Sequence, residues 1–189
     1  MIFLNYTFPY IETLLAALIG AIIGQLSILF FSWIKRKHDL KNKKKLLFFD
    51  LENKKEILME MKEELNRLKK LFEDKNTDFY TGSVFHNLNK DIYESVTKIE
   101  LHKCFKDKLP LVIHVYESIN FLKTITPFKI YSQYVEKLNK HLDETKNDST
   151  HELNCSTHMD FIQIAIKQID NNLDTIENVE SKIKELVKG

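Results

Sequence analysis

Glycine, proline and cysteine are all scarce in this chain. Only four of its 189 residues are glycine, and only Gly82 and Gly189 lie outside the apolar N-terminal segment. A chain so poor in glycine does not build the phosphate-binding loops of P-loop or dinucleotide-binding enzymes, because those loops need several glycines. The two cysteines, Cys104 and Cys155, give no disulfide framework, which suits a reducing cytoplasm. These absences remove most nucleotide-dependent enzymes and the disulfide-rich secreted domains.

Charged residues are absent from residues 14–34, which read LLAALIGAIIGQLSILFFSWI. At about 1.5 Å per residue this run matches the thickness of a bilayer hydrocarbon core, roughly 30 Å. A signal peptide would carry its basic residues before the apolar run, whereas here they follow it. The pattern therefore predicts one transmembrane helix within residues 1–34. Aromatic residues typical of membrane interfaces lie at its two ends: Tyr6, Phe8, Tyr10, Phe30, Phe31 and Trp33.

A basic collar, residues 35–45, follows the apolar run. Its basic residues are Lys35, Arg36, Lys37, Lys41, Lys43, Lys44 and Lys45. Basic residues mark the cytoplasmic side of a membrane helix, so we expect residues 46–189 in the bacterial cytoplasm and the N-terminus outside. The collar is also a candidate for binding anionic lipid or nucleic acid. The whole chain, with 28 basic and 27 acidic residues, is close to neutral, which leaves residues 46–189 mildly acidic.

The apolar segment carries a stripe of small residues at spacings of 4, 3, 4 and 3. This small-residue stripe consists of Thr13, Ala17, Gly20, Gly24 and Ser27. Small residues let helix backbones approach closely in lipid, so the stripe predicts self-association. A second set beside it, Ala21, Gln25 and Ser32, contains candidate pore-lining residues, since Gln25 lies mid-membrane and needs a polar partner or water.

Residues 46–189 predict an all-α domain of four or five helices. The first helix, 35–74, has a heptad pattern of Leu47, Leu51, Leu58, Met61, Leu65, Leu68 and Phe72, with Lys54 in one slot. With no Gly or Pro to break it, this helix can continue from the membrane helix. We expect further helices over 88–106, 110–126, 128–144 and 158–187, a loop over 75–87 and an ambiguous stretch over 145–157. The inward residues are expected to be Ile92, Val96, Ile99 and Leu101 in the second helix. In the last helix they are expected to be Ile162, Ile166, Ile169, Leu173, Ile176, Ile183 and Val187.

Candidate chemistry is sparse. His151, Cys155 and His158 share one face if their segment is helical, which is a plausible zinc arrangement without a fourth ligand. His102, His114 and His141 fall on mixed helix faces and are interpreted as ordinary surface or interior residues. No pairing of a nucleophile with a base can be read from the spacings. We therefore predict no catalytic residue, metal, cofactor or small-molecule substrate.

The HEPN nucleases, which are helical bundles that cut RNA, use an Arg followed four to six residues later by His. The two arginines here are Arg36, followed by His38, and Arg67, with no His within reach. The motif is therefore absent, and an HEPN-like bundle here would lack catalysis.

Two segments carry a resemblance: FFDLENKKEIL (48–58) and DIYESVTKIELHKCFKDKLPLVIHVYESINFL (91–122). They are similar to segments of bacterial single-span proteins in which a later helix packs on the helix that follows the anchor. The residues here that match that later helix are Leu109, Pro110, Tyr116 and Asn120. The architecture also resembles the accessory membrane protein encoded beside the RNA-guided RNase of type VI-B CRISPR systems. That resemblance implies an HEPN-like bundle and a homo-oligomeric pore that strengthens antiviral defence.

The leading hypothesis from the sequence is therefore a homo-oligomeric inner-membrane protein that permeabilises or depolarises the membrane in antiviral defence. Its partners would be the lipid bilayer, other copies of itself, and a cytoplasmic RNA-guided defence complex or its RNA. The alternatives are a membrane-tethered adaptor without a pore and, ranked below it, a membrane-bound RNase.

Overall fold

The computed structural model describes residues 8–77, 80–82, 85, 88–89, 91–145 and 151–188. Within these residues all regular structure is helical, which confirms the all-α prediction. The α-helices are α1 (Phe8–Glu73), α2 (Asp91–Glu94), α3 (Lys98–Phe105), α4 (Leu109–Thr124), α5 (Pro127–Thr145) and α6 (His151–Lys188), with a 3₁₀ turn over Lys106–Lys108. The chain divides into two compact units, residues 1–45 and 46–189.

Helix α1 is continuous because no proline lies within it after its second residue, Pro9, and no glycine after Gly24. The predicted heptad is confirmed, since Leu47, Leu51, Leu58, Met61, Leu65, Leu68 and Phe72 are all buried. The helix ends in a Schellman motif. Lys75 adopts a left-handed φ of 55°, and the Asn76 amide donates to the Leu71 carbonyl at 3.0 Å.

The prediction of one helix over 88–106 is wrong. Helix α2 ends at Glu94, and α3 begins only at Lys98. A capping box causes the restart: Thr97 Oγ1 accepts from the Glu100 amide at 3.3 Å, and Glu100 Oε2 accepts from the Thr97 amide at 3.1 Å. The restart also changes which residues face the core. Ile99 is 69% exposed rather than inward, whereas Val96 and Leu101 are buried, and Ile92 is half-buried.

Helices α4 and α5 lie close to their predicted ranges. Pro110 and Pro127 occupy first-turn positions, where the missing amide proton leaves no hydrogen bond unmade. A ring contact and a hydrogen bond fix α5 and α4, respectively, on α1 within the 46–189 unit. Phe72 meets Tyr134 of α5 edge-on with ring centres 5.0 Å apart, and Tyr116 of α4 donates to Asp50.

Helix α6 begins at His151, seven residues before the predicted start, so most of the ambiguous stretch is helical. Its buried seam is Ile162, Ala165, Ile169, Asn172, Ile176, Val179, Ile183 and Leu186. The predicted seam was therefore partly wrong: Ile166 and Leu173 are half-buried, and Val187 is 42% exposed. The amide of Asn172 donates to the Ile125 carbonyl at 2.8 Å, which satisfies one polar group in the seam.

Two ion pairs set the register of α6 against α1. Lys62 lies 2.8 Å from Glu177, and Lys69 lies 2.7 Å from Asp170. Because residue numbers rise on α1 while they fall on α6, the two helices run antiparallel. The hydrogen bond to Glu177 raises the pKa of Lys62, and the same bond lowers the pKa of Glu177. The hydrogen bond to Asp170 likewise raises the pKa of Lys69.

Candidate membrane and assembly surface

The apolar segment of α1 is covered by no other described residue. Among the described residues, α1 is the one helix long and apolar enough to cross a membrane, and none of its most apolar stretch is buried. Large apolar side chains along it are exposed, including Leu18, Ile22 and Leu29. Apolar surface of this extent is unstable in water and requires lipid or another apolar surface.

The small-residue stripe lies wholly on the exposed surface of this segment. A Cβ added at Gly20 or at Gly24 would meet no atom within 4 Å beyond the helix's own backbone. No described contact within the chain therefore requires glycine at either position. Ser27 satisfies its own hydroxyl by donating to the Ile23 carbonyl at 2.8 Å.

The second set lies beside the stripe, within the same half of the helix circumference at about 100° per residue. Ala21, Gln25 and Ser32 are all exposed. The Ser32 hydroxyl donates to the Leu29 carbonyl at 2.8 Å, so it is satisfied within the helix. The Gln25 amide has no hydrogen-bond partner among the described residues.

The aromatic residues at the collar end form a small stack. Phe30 and Trp33 stack with ring centres 6.3 Å apart, and the ammonium of Lys37 lies 5.3 Å from the Trp33 ring centre. This is a cation–π arrangement typical of a membrane interface. At the other end Tyr10 is exposed; Tyr6 and the side chain of Phe8 lie outside the described part of the chain.

The basic collar presents most of its charges to solvent. Lys35, Arg36, Lys37, Lys41 and Lys45 are exposed, and Lys43 and Lys44 are half-exposed. His38, near Arg36, pairs its Nδ1 with the Asn42 amide nitrogen at 3.2 Å. The collar therefore offers a run of positive charge suited to anionic lipid headgroups.

A buried ionic cluster lies in the interior of the 46–189 unit. Lys54 Nζ donates to Asp50 Oδ1 at 2.5 Å, and the Tyr116 hydroxyl donates to Asp50 Oδ2 at 2.6 Å. Tyr93 stacks on the Tyr116 ring with centres 4.3 Å apart. Burial, followed by the hydrogen bond to Asp50, raises the pKa of Tyr116 well above its ordinary value. The sequence signalled the cluster through Lys54, a charge in a heptad slot four residues after an aspartate.

Arg67, the second arginine, has a structural role. Its guanidinium donates to Glu64 Oε2 and to the Thr81 carbonyl, both at 2.8 Å, and lies 5.4 Å from the Tyr80 ring centre. The Tyr80 hydroxyl also donates to Glu64, at 3.0 Å. Burial, with the hydrogen bond to Glu64, raises the pKa of Tyr80. These contacts tie the 80–82 segment to α1.

His158, the last member of the candidate zinc group, is hydrogen-bonded to protein. Its Nε2 lies 2.6 Å from the Tyr134 hydroxyl, which also lies 2.9 Å from Thr77 Oγ1. The side chains of His151 and Cys155 lie outside the described residues. Among the described residues no group of three or more His, Cys, Asp or Glu side chains is placed to hold a metal ion.

The three histidines that the sequence placed on mixed helix faces lie on α3, α4 and α5. His102 and His114 are exposed, and His141 is half-buried with its ring edge-on to Phe161 at 6.0 Å. Within the described residues the arrangement thus offers packing surfaces and a buried ionic cluster.

Comparison with family models, with curated proteins and with solved structures found no match to this chain.

Proposed function

We propose that the chain is a homo-oligomeric, non-enzymatic membrane protein that assembles through α1. In this proposal α1 crosses the bacterial inner membrane once, and the helices of 46–189 form a cytoplasmic bundle. The observation that supports it most directly is that the small-residue stripe and the second set share one half of the apolar segment's circumference. There the Gln25 amide and the two glycines face outward with no partner among the described residues.

Gln25 supports assembly because an amide in hydrocarbon is costly without a hydrogen bond. Within a lone helix in lipid, nothing described supplies that bond. A second copy of α1, or water held between several copies, would supply it. Side-chain hydrogen bonds between membrane helices contribute about 0.6–2 kcal/mol each, so Gln25 alone would bias assembly modestly.

The glycines support assembly through close packing. A helix-interior glycine costs roughly 0.5–1 kcal/mol relative to alanine in water. Gly20 and Gly24 lie four residues apart, where they would let another helix approach the α1 backbone. Their open surroundings within the chain favour that contact being intermolecular.

The collar supports the orientation. Seven basic residues directly after the apolar run, with none before it, favour a cytoplasmic C-terminal side and an external N-terminus. Each exposed lysine or arginine near an anionic leaflet contributes about 1 kcal/mol of attraction. The lipid bilayer is thus a partner as well as a solvent.

The proposed role is a pore-forming or membrane-depolarising effector of antiviral defence, which responds to a cytoplasmic RNA-guided complex or its RNA. It rests on the resemblance to the type VI-B CRISPR accessory protein, together with the candidate pore-lining set of Ala21, Gln25 and Ser32. The second candidate is a membrane-tethered adaptor, which is supported by the same anchor and needs no pore. An HEPN-like membrane-bound RNase ranks below both, because the Arg–His spacing of that class is absent.

The mass of the particle extracted in mild detergent tests assembly. We expect an oligomer for the wild type and a shift towards monomer for the Gly20→Ile, Gly24→Ile variant. The matched control is Ile22→Phe with Leu29→Phe, which adds nearly as much bulk on the opposite face of the helix and should leave the mass unchanged. A wild-type monomer, or equal effects of the variant and the control, would contradict the proposal.

Ion flux separates the candidate roles. If a pore forms, the reconstituted oligomer should release potassium from liposomes, and Gln25→Leu should change that flux. An oligomer that retains its mass but conducts nothing would favour the adaptor. Cleavage of RNA by the purified protein, abolished by His158→Ala, would instead favour the RNase.

A further inference from the structure

The outward face of α1 within the 46–189 unit carries a row of acidic residues. This acidic row consists of Glu52, Glu56, Glu60 and Glu63, all exposed, and it begins beside Phe49, whose ring is 60% exposed. None of the four carboxylates forms an ion pair with a described residue. Like charges four residues apart on a helix are destabilising by a few tenths of a kcal/mol, so the row does not serve the stability of α1 itself.

Helix α3 and the turn after it carry an exposed row of basic residues, opposite in charge to the acidic row. Lys98, His102 and Lys103 lie exposed on the outward surface of α3, followed by the exposed Lys106, and Ile99 lies among them at 69% exposure. None of these three lysines forms an ion pair with a described residue. The capping box at Thr97 sets this orientation, since it fixes where α3 begins and therefore which side of α3 faces out.

The two rows complement each other. Each row lies next to one large exposed apolar side chain, Phe49 or Ile99, and the two rows carry charges of opposite sign, although the exposed Asp107 follows Lys106. An apolar anchor with charged residues around it is the usual composition of a protein interface, and opposite potentials fix partner and register. An anionic lipid surface would complement only the basic row. A second copy of the chain complements both rows at once.

We propose that copies of this chain dock head to tail, the acidic row of α1 in one copy against the basic row of α3 in the next. A head-to-tail contact of this kind is heterologous, and repetition of it closes a ring or extends a filament. The inference rests on the proposed homo-oligomer and assigns the cytoplasmic surfaces through which the copies meet.

Charge reversal tests the contact in the full-length protein extracted in mild detergent. Glu56→Lys with Glu60→Lys should place like charges opposite the basic row, and Lys98→Glu with Lys103→Glu should do the same opposite the acidic row. Each pair is expected to weaken self-association about tenfold or more at low salt, and less at high salt. The chain with all four substitutions regains opposite charges and should recover the wild-type mass.

Lys137→Glu with Lys140→Glu, on the exposed surface of α5, is the matched control and should leave the mass unchanged. Circular dichroism checks that each variant keeps its helix content. Where a reversal reduces it, the neutral variants Glu60→Gln and Lys103→Gln replace the reversals, and each should weaken assembly several-fold.

Three results would overturn the head-to-tail contact. The first is an unchanged mass in both reversal pairs, and the second is a four-substitution chain that stays dissociated. The third is loss of binding to phosphatidylglycerol vesicles by the Lys98→Glu, Lys103→Glu variant with its mass unchanged, which would assign the basic row to lipid. A wild-type oligomer insensitive to these charges refutes only this contact, whereas a wild-type monomer refutes the assembly proposal as well.

Discussion

Replacing Lys54 with methionine should destabilise the 46–189 unit strongly, although methionine suits a helix interior. Lys54 is 3% exposed and Asp50 is 7% exposed, and their charged atoms lie 2.5 Å apart. Methionine keeps most of the lysine stem's volume but removes the positive charge. Asp50 would then remain buried as an anion with only the Tyr116 hydroxyl as a described side-chain donor. Removing one partner of a buried ion pair typically costs about 3–5 kcal/mol.

Two further variants separate the charge from the packing. Tyr116→Phe removes only one hydrogen bond to the carboxylate, so it should cost about 1.5–3 kcal/mol, less than Lys54→Met. The double variant Lys54→Met, Asp50→Asn leaves no buried charge, and asparagine can still accept the Tyr116 hydrogen bond. It should therefore recover much of the stability lost in Lys54→Met, which is a non-additive result that only direct coupling produces.

Thermal unfolding of the full chain in detergent micelles, followed by circular dichroism, measures these differences. For a domain of this size 1 kcal/mol corresponds to about 2–4 °C, so Lys54→Met should lower the midpoint by roughly 6–20 °C. Lys70→Met, on the exposed surface of the same helix, is the control and should change the midpoint by about 2 °C or less. A midpoint for Lys54→Met close to that of the control, or a double variant less stable than the single one, would refute the reasoning.

The other expected outcomes concern titration, a buried amide and the contrast between core and surface. Because the pKa of Tyr116 is raised in the folded state, the contribution of the protonated hydroxyl to stability is complete below pH 10 and is lost as the pH rises above it. Thermal-unfolding midpoints measured from pH 8 to 11.5 should therefore fall more steeply for wild type than for Tyr116→Phe. Asn172→Ala should cost about 1–3 kcal/mol by chemical denaturation, because it leaves the Ile125 carbonyl without that donor; a neutral effect would contradict the bond. Ile176→Ala should cost about 2–5 kcal/mol, whereas Ile99→Ala should stay within about 0.5 kcal/mol, and comparable losses would refute the burial assigned to them.

The part of α1 that belongs to the 46–189 unit could be predicted from the sequence because nothing interrupts it. A single helix keeps one phase, so a heptad of leucines from Leu47 to Phe72 marks the buried side over its whole length. The same phase placed Lys54 in the interior. The pattern alone did not identify its partners, since Tyr116 reaches Asp50 only through the packing of α4 on α1.

The failures have equally local causes. A hydropathy pattern selects large apolar residues, so on α6 it favoured Ile166 and Leu173 over Ala165 and Asn172, which occupy the buried seam. Ala165 is buried there because a small side chain lets neighbouring helices approach closely. Asn172 is buried because its amide donates a hydrogen bond to the Ile125 carbonyl. On α3 the sequence contained the necessary signal, a Thr-x-x-Glu capping box at Thr97, which resets the helical phase and turns Ile99 outward.

The contrast between the buried and outward surfaces of α1 supports the proposed assembly. In the interior of the 46–189 unit the buried charges of Asp50 and Lys54 pair with each other. Outward-facing groups are different: the Gln25 amide and the carboxylates of the acidic row have no partner among the described residues, and nothing described packs against Gly20 or Gly24. Each of these features carries a cost to an isolated chain, through desolvation in lipid, loss of helix propensity or like-charge repulsion. Contact with other copies would offset all three costs at once, which is why we place the function of this protein in its assembly.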